Sequence, residues 1–437
     1  MGTRQWLSTV GASRRFLHSS LAQRRERCAL VHTSVAPTAA STARDVSAFR
    51  VGVVGLGAIG TIFFTRLGRL AAARKTREGL PTLYVDALVK AEQFDTWIEN
   101  KMEEEETVTM ELMQDGQETE TLDFQVLCTT DAAKVAMGCN VRVRALVGQS
   151  AGDAREDDDR LDVLMVTVKA HDSRDVMRAL REKHWHLLQD DALCVLLQNG
   201  LGDEAVPAEA KENRLDDRWQ LASGVTFVGG RVLAFAAVET SGLDVGKTYI
   251  APFIGHVGET QWRKPGDANT VTMMQRDCHG TMQMLADVLV AAGLHCQVLD
   301  SDAMQATLWH KLIVNAAINP LASVLDAPNL SVASSESSRQ CVRLVVQEAL
   351  AVAQCEHVLL DRTHNELADD VFEVARNTGS NVCSMLADLR RESRTEIDAI
   401  TGRIVAGGKR HGIPTPTNEL LLLLIKALET ERARRSR

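Results

Sequence analysis

Lys311, Asn315 and Asn319 stand at i, i+4 and i+8 in the stretch Leu308-Trp309-His310-Lys311-Leu312-Ile313-Val314-Asn315-Ala316-Ala317-Ile318-Asn319-Pro320. On a helix, that spacing sets one ammonium and two carboxamides along a single face and leaves Leu312, Ile313, Val314 and Ile318 for packing. Polar groups stacked on an otherwise apolar helix point to a cavity. A lysine there loses water, its pKa falls, and it can serve as a proton donor. On these residues alone, a structural lysine is an equal alternative.

A second constellation binds anions rather than moving protons. Val51-Gly52-Val53-Val54 reads as a strand, and Gly55, Leu56, Gly57, Ala58, Ile59 and Gly60 follow it as G-x-G-x-x-G at the mouth of a helix. In such a turn Gly55 permits the tight bend, Gly57 lets a pyrophosphate approach the backbone, and Gly60 allows close helix–strand packing, while the helix N-terminus offers N–H donors. That context makes a dinucleotide site of a motif that is weak by itself. The next strand, Leu83-Tyr84-Val85-Asp86-Ala87-Leu88-Val89-Lys90, leaves the cofactor choice open. If it ends at Val89, Lys90 meets the 2′-phosphate of NADP; if it ends earlier, Asp86 takes the ribose hydroxyls of NAD. The apolar continuation through Ala87, Leu88 and Val89 favours Lys90.

Elements that position these groups follow from periodicity. Strands are expected at residues 50–54, 83–89, 141–147, 163–169 and 192–198, with helical stretches such as 59–74 and 173–183 between some of them, the alternation of a parallel sheet with crossover helices. After about Gly258 helical spacing dominates, at 271–292, 303–319, 336–357, 365–376 and 394–411, and strand signals nearly vanish. His411-Gly412-Ile413-Pro414 should stop the last of these. The expected units are a leader at 1–48, a nucleotide-binding domain at 49–258 and a helical domain at 259–437. Polar segments at 103–106, 149–160, 208–219 and around 259–272 read as solvated insertions.

Four separated blocks make most of residues 50–428 resemble the ketopantoate reductase (2-dehydropantoate 2-reductase) family. They are the glycine loop; Val166-Thr167-Val168-Lys169-Ala170 with Leu196-Leu197-Gln198-Asn199-Gly200-Leu201-Gly202; the Lys311 to Pro320 stretch continuing to Ala327-Pro328-Asn329; and Ser384-Met385-Leu386-Ala387-Asp388 with Arg394-Thr395-Glu396-Ile397-Asp398. The resemblance implies an α/β N-terminal Rossmann domain plus an all-α C-terminal domain, with the site in the cleft between them. It also implies NADPH as cofactor, a small 2-keto acid as substrate, and reduction of ketopantoate to pantoate in pantothenate and coenzyme A biosynthesis. By resemblance Lys311 is the general acid, and Glu396 accepts the substrate's terminal hydroxyl and tunes Lys311. Asn315, Asn319 and Asn329 bind substrate, Ser384 lies near its carboxylate, and Lys169 and Asn199 stand at the cofactor–substrate junction. A homodimer stays open.

Composition bounds the rest. The chain has 437 residues and a net charge of −9. Eight arginines against Glu26 and Asp45 give residues 1–50 a net +6, which leaves −15 on the remainder. A basic, Ser/Ala-rich, acid-poor start reads as an organellar transit peptide, mitochondrial first and plastid second, with a disordered tail on a cytoplasmic protein as the alternative. The acidic body argues against a nucleic-acid partner, and no apolar run approaches the length of a membrane span. Nine cysteines never lie closer than 11 residues apart, so no C-x-x-C metal or redox pattern exists and no metal is expected. Two rivals stand beside the reductase. A β-hydroxyacid dehydrogenase of the hydroxyisobutyrate type shares a lysine with an asparagine four residues on, but leaves Asn319, Asn329, Ser384 and Glu396 without a role. A catalytically silent NADP sensor needs the glycine loop and none of the others.

Overall fold

The computed structural model describes residues 48–73, 80–90, 107–114, 117–125, 140–146, 160–201, 219–234, 237–243, 245–253 and 274–435. The leader, the acidic runs at 103–106 and 149–159, and the polar segments at 208–218 and 259–272 lie outside them.

Strands β1 (Ala48–Val54), β2 (Thr82–Lys90), β5 (Val141–Leu146), β6 (Leu161–Val166) and β7 (Leu188–Leu196) form the expected parallel sheet. It grows to eight strands through β8 (Gln220–Thr226), β11 (Lys247–Pro252) and β12 (His295–Val298), in the order β12-β11-β8-β7-β6-β1-β2-β5. Both faces are covered, which is why β1 and β6 read as nearly unbroken apolar runs rather than alternating ones. Helix α1 (Ala58–Ala72) packs Ile62, Phe63, Phe64 and Leu67 on one face, and α2 (Ala170–Lys183) packs Met177 and Leu180 on the other. Strand order reverses between β1 and β6, the position where open α/β sheets place their ligands.

Two features differ from the sequence expectation. A second sheet, β4-β3-β10-β9, is made of β3 (Thr107–Gln114), β4 (Gln117–Gln125), β9 (Gly229–Ala234) and β10 (Ala237–Ser241), and it covers α1 from outside with Met110, Leu112 and Val238. The boundary expected at 258/259 also moves. Helix α3 (Met274–Ala291) buries Met282, Leu285 and Leu289 in the first domain's core, and β12 pairs in parallel with β11, so the first domain's chain runs to Val298.

The second domain is helical: α4 (Ser301–Val324), α5 (Ser331–Ser334), α6 (Glu336–Cys355), α7 (His364–Asn377), α8 (Ser384–Arg390), α9 (Thr401–His411) and α10 (Pro416–Arg435). Asp300 caps α4 by accepting from the Ala303 N–H at 2.8 Å. Gly412, at φ +68°, ends α9 in the left-handed conformation that a side chain would resist. Residues 394–400, expected to be helical, are not. Thr395 N–H donates to Glu429 at 2.7 Å and Ile397 N–H to the Thr395 hydroxyl at 3.3 Å, so side chains take backbone donors away from a helical ladder. The turn that results carries Glu396. Among the described residues no helix is long and apolar enough to cross a membrane.

Candidate active site

The nucleotide corner is shaped by what its glycines leave room for. Gly55 sits at φ +94°, and a Cβ there would lie 2.4 Å from Val168 Cγ1. A Cβ on Gly60 would lie 2.0 Å from the Gly55 carbonyl oxygen, whereas at Gly57 nothing stands within 4 Å. Two glycines are thus required by packing and one faces open space. Gly57 is also the N-cap of α1 and lends it no side-chain hydrogen bond, so the first-turn amides of α1 are without a capping side chain. Leu56, Ala58 and Ile59 pack against the core and hold the loop in place. Just past the end of β6 the Thr167 hydroxyl donates to the carbonyls of Val54 and Gly55, at 3.0 and 2.7 Å. These features fit a pyrophosphate laid over Gly57 against the helix N-terminus.

At the neighbouring strand, Asp86 is not at an end. It is buried mid-strand and receives the Arg142 guanidinium from β5 at 2.8 and 3.3 Å. Lys90 ends β2 and is exposed, on the strand whose Leu88 carbonyl faces the Gly55 N–H. Of the two candidate readers, Asp86 is thus buried and paired, and Lys90 lies exposed at the strand's end.

In the cleft, groups from both domains meet. Lys311, on α4, donates from Nζ to the carbonyl of Thr226 at the end of β8, 2.7 Å away. Loss of water pulls its pKa down to about 8, and the negative charge of Glu396 opposes that shift. Glu396 is buried and fully engaged across the domain boundary: Oε1 accepts from the Ala170 N–H at 3.2 Å and Oε2 from Asn199 Nδ2 at 2.8 Å. Lys169 pairs with buried Asp388 of α8, whose other oxygen lies 3.4 Å from Arg391. Gly200, at φ +95°, lets its loop close on residue 399, since a Cβ would meet the Ala399 carbonyl at 2.7 Å.

The three asparagines divide. Asn315 is half-buried and Asn319 buried on the Lys311 face of α4. Cys383 Sγ contacts the Asn319 carbonyl at 3.6 Å and, as N-cap of α8, accepts from the Leu386 N–H, which ties the start of α8, where Ser384 is exposed, to α4 at Asn319. Asn329 is buried: its Nδ2 donates to Thr378 at 2.9 Å, and its Oδ1 finds no partner among the described residues. Sequence reasoning assigned no role to Asp388, Thr226 or Phe227. Asp388 had a legible signal, since it lies four residues after Ser384 on the same helical face; a backbone carbonyl such as that of Thr226 has none.

Comparison with known proteins places this geometry. The family model "Ketopantoate reductase PanE/ApbA" matches residues 51–255, and its C-terminal counterpart matches residues 303–429. The chain belongs to the ketopantoate reductase family. A 2-dehydropantoate 2-reductase of Archaeoglobus fulgidus is 31% identical over 269 residues, 62% of this chain and 77% of that protein. Among solved structures, the PanE/ApbA family ketopantoate reductase of Ralstonia eutropha matches with a TM-score of 0.60 at 22% identity, over 88% of this chain and all of that one. D-mandelate dehydrogenase, solved with NADH and anilino(oxo)acetate, matches with a TM-score of 0.61 at 20% identity and the same coverage. At these identities the two structures share a fold with this ketopantoate reductase family member. The matched segments include the glycine loop, Lys169, Asn199, Lys311, Ser384, Asp388 and Glu396.

Proposed function

We propose that the chain reduces 2-dehydropantoate to pantoate with NADPH, with Lys311 as the general acid. The observation that carries the reading is an ammonium with its pKa pulled down to about 8, set near Glu396, whose carboxylate is held by Ala170 and Asn199 of the nucleotide-binding domain. When bound, the cofactor supplies a hydride to the keto carbon. The Lys311 ammonium then stabilises the developing alkoxide and gives it a proton. Glu396 holds a negative charge near Lys311 and favours the protonated form needed before the proton is given. Asn315 and Asn319 orient substrate oxygens, and Ser384 receives the carboxylate. Lys90, at the end of β2, favours the 2′-phosphate and hence NADPH over NADH.

The product belongs to pantothenate and coenzyme A biosynthesis, and the basic leader carries the chain to the mitochondrion; a fluorescent fusion of residues 1–50 that stays diffuse in the cytoplasm would remove that part. Purified protein, NADPH and 2-dehydropantoate give a direct test by loss of nicotinamide absorbance. Oxidation of 3-hydroxy acids with 2-dehydropantoate left untouched would hand the chain to the hydroxyisobutyrate type.

A further inference from the structure

Phe227 follows the carbonyl that holds Lys311, and its ring centre lies 5.7 Å from Lys311 Nζ. Phe227 is 41% exposed, in contrast to Phe63 and Phe64 of the core, which are fully buried. The position is nevertheless fixed. The Phe227 N–H donates to the Lys247 carbonyl at 2.8 Å, and Tyr249 meets the ring edge-on with centroids 6.3 Å apart. Thr226 is pinned by the Thr248 hydroxyl at 2.9 Å, and the β9 strand that follows is tied to the second domain by Arg391 donating to the Val232 carbonyl at 3.3 Å. A large apolar surface kept in water and held rigid beside a proton donor adds little to the fold and is suited to a ligand.

We propose that Phe227 determines specificity: its exposed ring is the apolar wall against which the branched carbon beside the reacting carbonyl packs. The proposal rests on the reductase reading above. A carbonyl oxygen hydrogen-bonded to Nζ at about 2.9 Å places the groups next to that carbonyl about 4–5 Å from Nζ, within reach of the near edge of the ring. A quaternary carbon there fills the space against the ring, and an unbranched chain leaves it empty. Loss of such a contact changes discrimination by roughly tenfold or more per methylene-sized group.

Steady-state kinetics with NADPH decide it, comparing wild type, Phe227→Ala and Phe227→Leu on 2-dehydropantoate, 3-methyl-2-oxobutanoate and 2-oxobutanoate. Phe227→Ala should raise KM for 2-dehydropantoate about tenfold with kcat within about threefold, and should cut the preference for the branched over the unbranched acid by a similar factor. Phe227→Leu should recover most of that preference, and both variants should keep the wild-type affinity for NADP. An unchanged preference overturns the proposal, as does a fall in kcat shared equally by all three acids, which would assign the ring to holding Lys311. Should Phe227→Ala fail to fold, Phe227→Ser and Phe227→Thr, which also remove the ring, carry the same comparison. A wild type that reduces none of the three acids overturns the reductase reading itself; an active wild type with unaltered preference in the variants overturns only the wall.

Discussion

At the nucleotide corner the working groups are main-chain amides, shaped by three glycines within six residues; in the cleft they are side chains delivered from distant parts of the chain. Lys169 and its partner Asp388 are 219 residues apart in sequence, and Asn199 and Glu396 are 197 apart. The corner tolerates no added atom at Gly55 or Gly60 and carries no charged side chain in its loop. The cleft is a chain of cations and carboxylates, each satisfied across the domain boundary, and burial there lowers the pKa of Lys311 while the charge of Glu396 opposes the fall. The corner is therefore vulnerable to crowding and the cleft to loss of charge.

The largest expected effect separates chemistry from binding. Lys311→Ala should lower kcat by about 10²–10⁴-fold, the usual contribution of a positioned acid, with NADP affinity unchanged by fluorescence titration; a parallel loss of cofactor affinity would merge the two regions. Next, the glycines should split. Gly57→Ala should leave the melting temperature where it is and weaken NADP binding by roughly tenfold or more, because its methyl enters space reserved for the pyrophosphate. Gly60→Ala should cost about 1–3 kcal/mol of stability as well, because its methyl meets the Gly55 carbonyl; equal melting temperatures for the two variants would show the corner to be less rigid than its geometry. Lys90→Ala should reduce the preference for NADPH over NADH by about tenfold through the loss of one phosphate contact.

The smallest effect is a shift in a pH profile. An acid must be protonated to act, so kcat/KM should be level below about pH 8 and fall tenfold per pH unit above it. The charge of Glu396 raises the lysine's pKa, so Glu396→Gln should move that break to lower pH. A break that stays in place would uncouple Glu396 from Lys311.

How much of this was legible depends on distance along the chain. The five parallel strands and α1 were readable because both-side burial writes itself as short β-branched runs, and helical burial as a 3.6-residue period. The second sheet escaped although Asp115-Gly116, a hairpin dipeptide, stands between β3 and β4, whose ends Gln114 and Gln117 pair. Its strands are polar along much of their length, and no apolar run marks them. β12 was hidden because its four residues, His295–Val298, alternate weakly and gain their place only by pairing with β11. Residues 394–400 read as helix because nothing local announces that Glu429, far along the chain, takes the Thr395 N–H.

The sequence by itself determined the glycine loop, the Lys311–Asn315–Asn319 face and the stop at Gly412, since each depends on contacts within one or two turns of chain. Only tertiary structure shows Asp86 buried mid-strand and paired with Arg142 of the neighbouring strand, with Lys90 left at the strand's end. It also decided that Glu396 spans the cleft to Ala170 and Asn199, that Asp388 answers Lys169, and that the Thr226 carbonyl holds Lys311. Those partners meet through the packing of two domains, and a charge's environment, unlike a backbone's local preference, is set by whatever folding brings within a few ångströms of it.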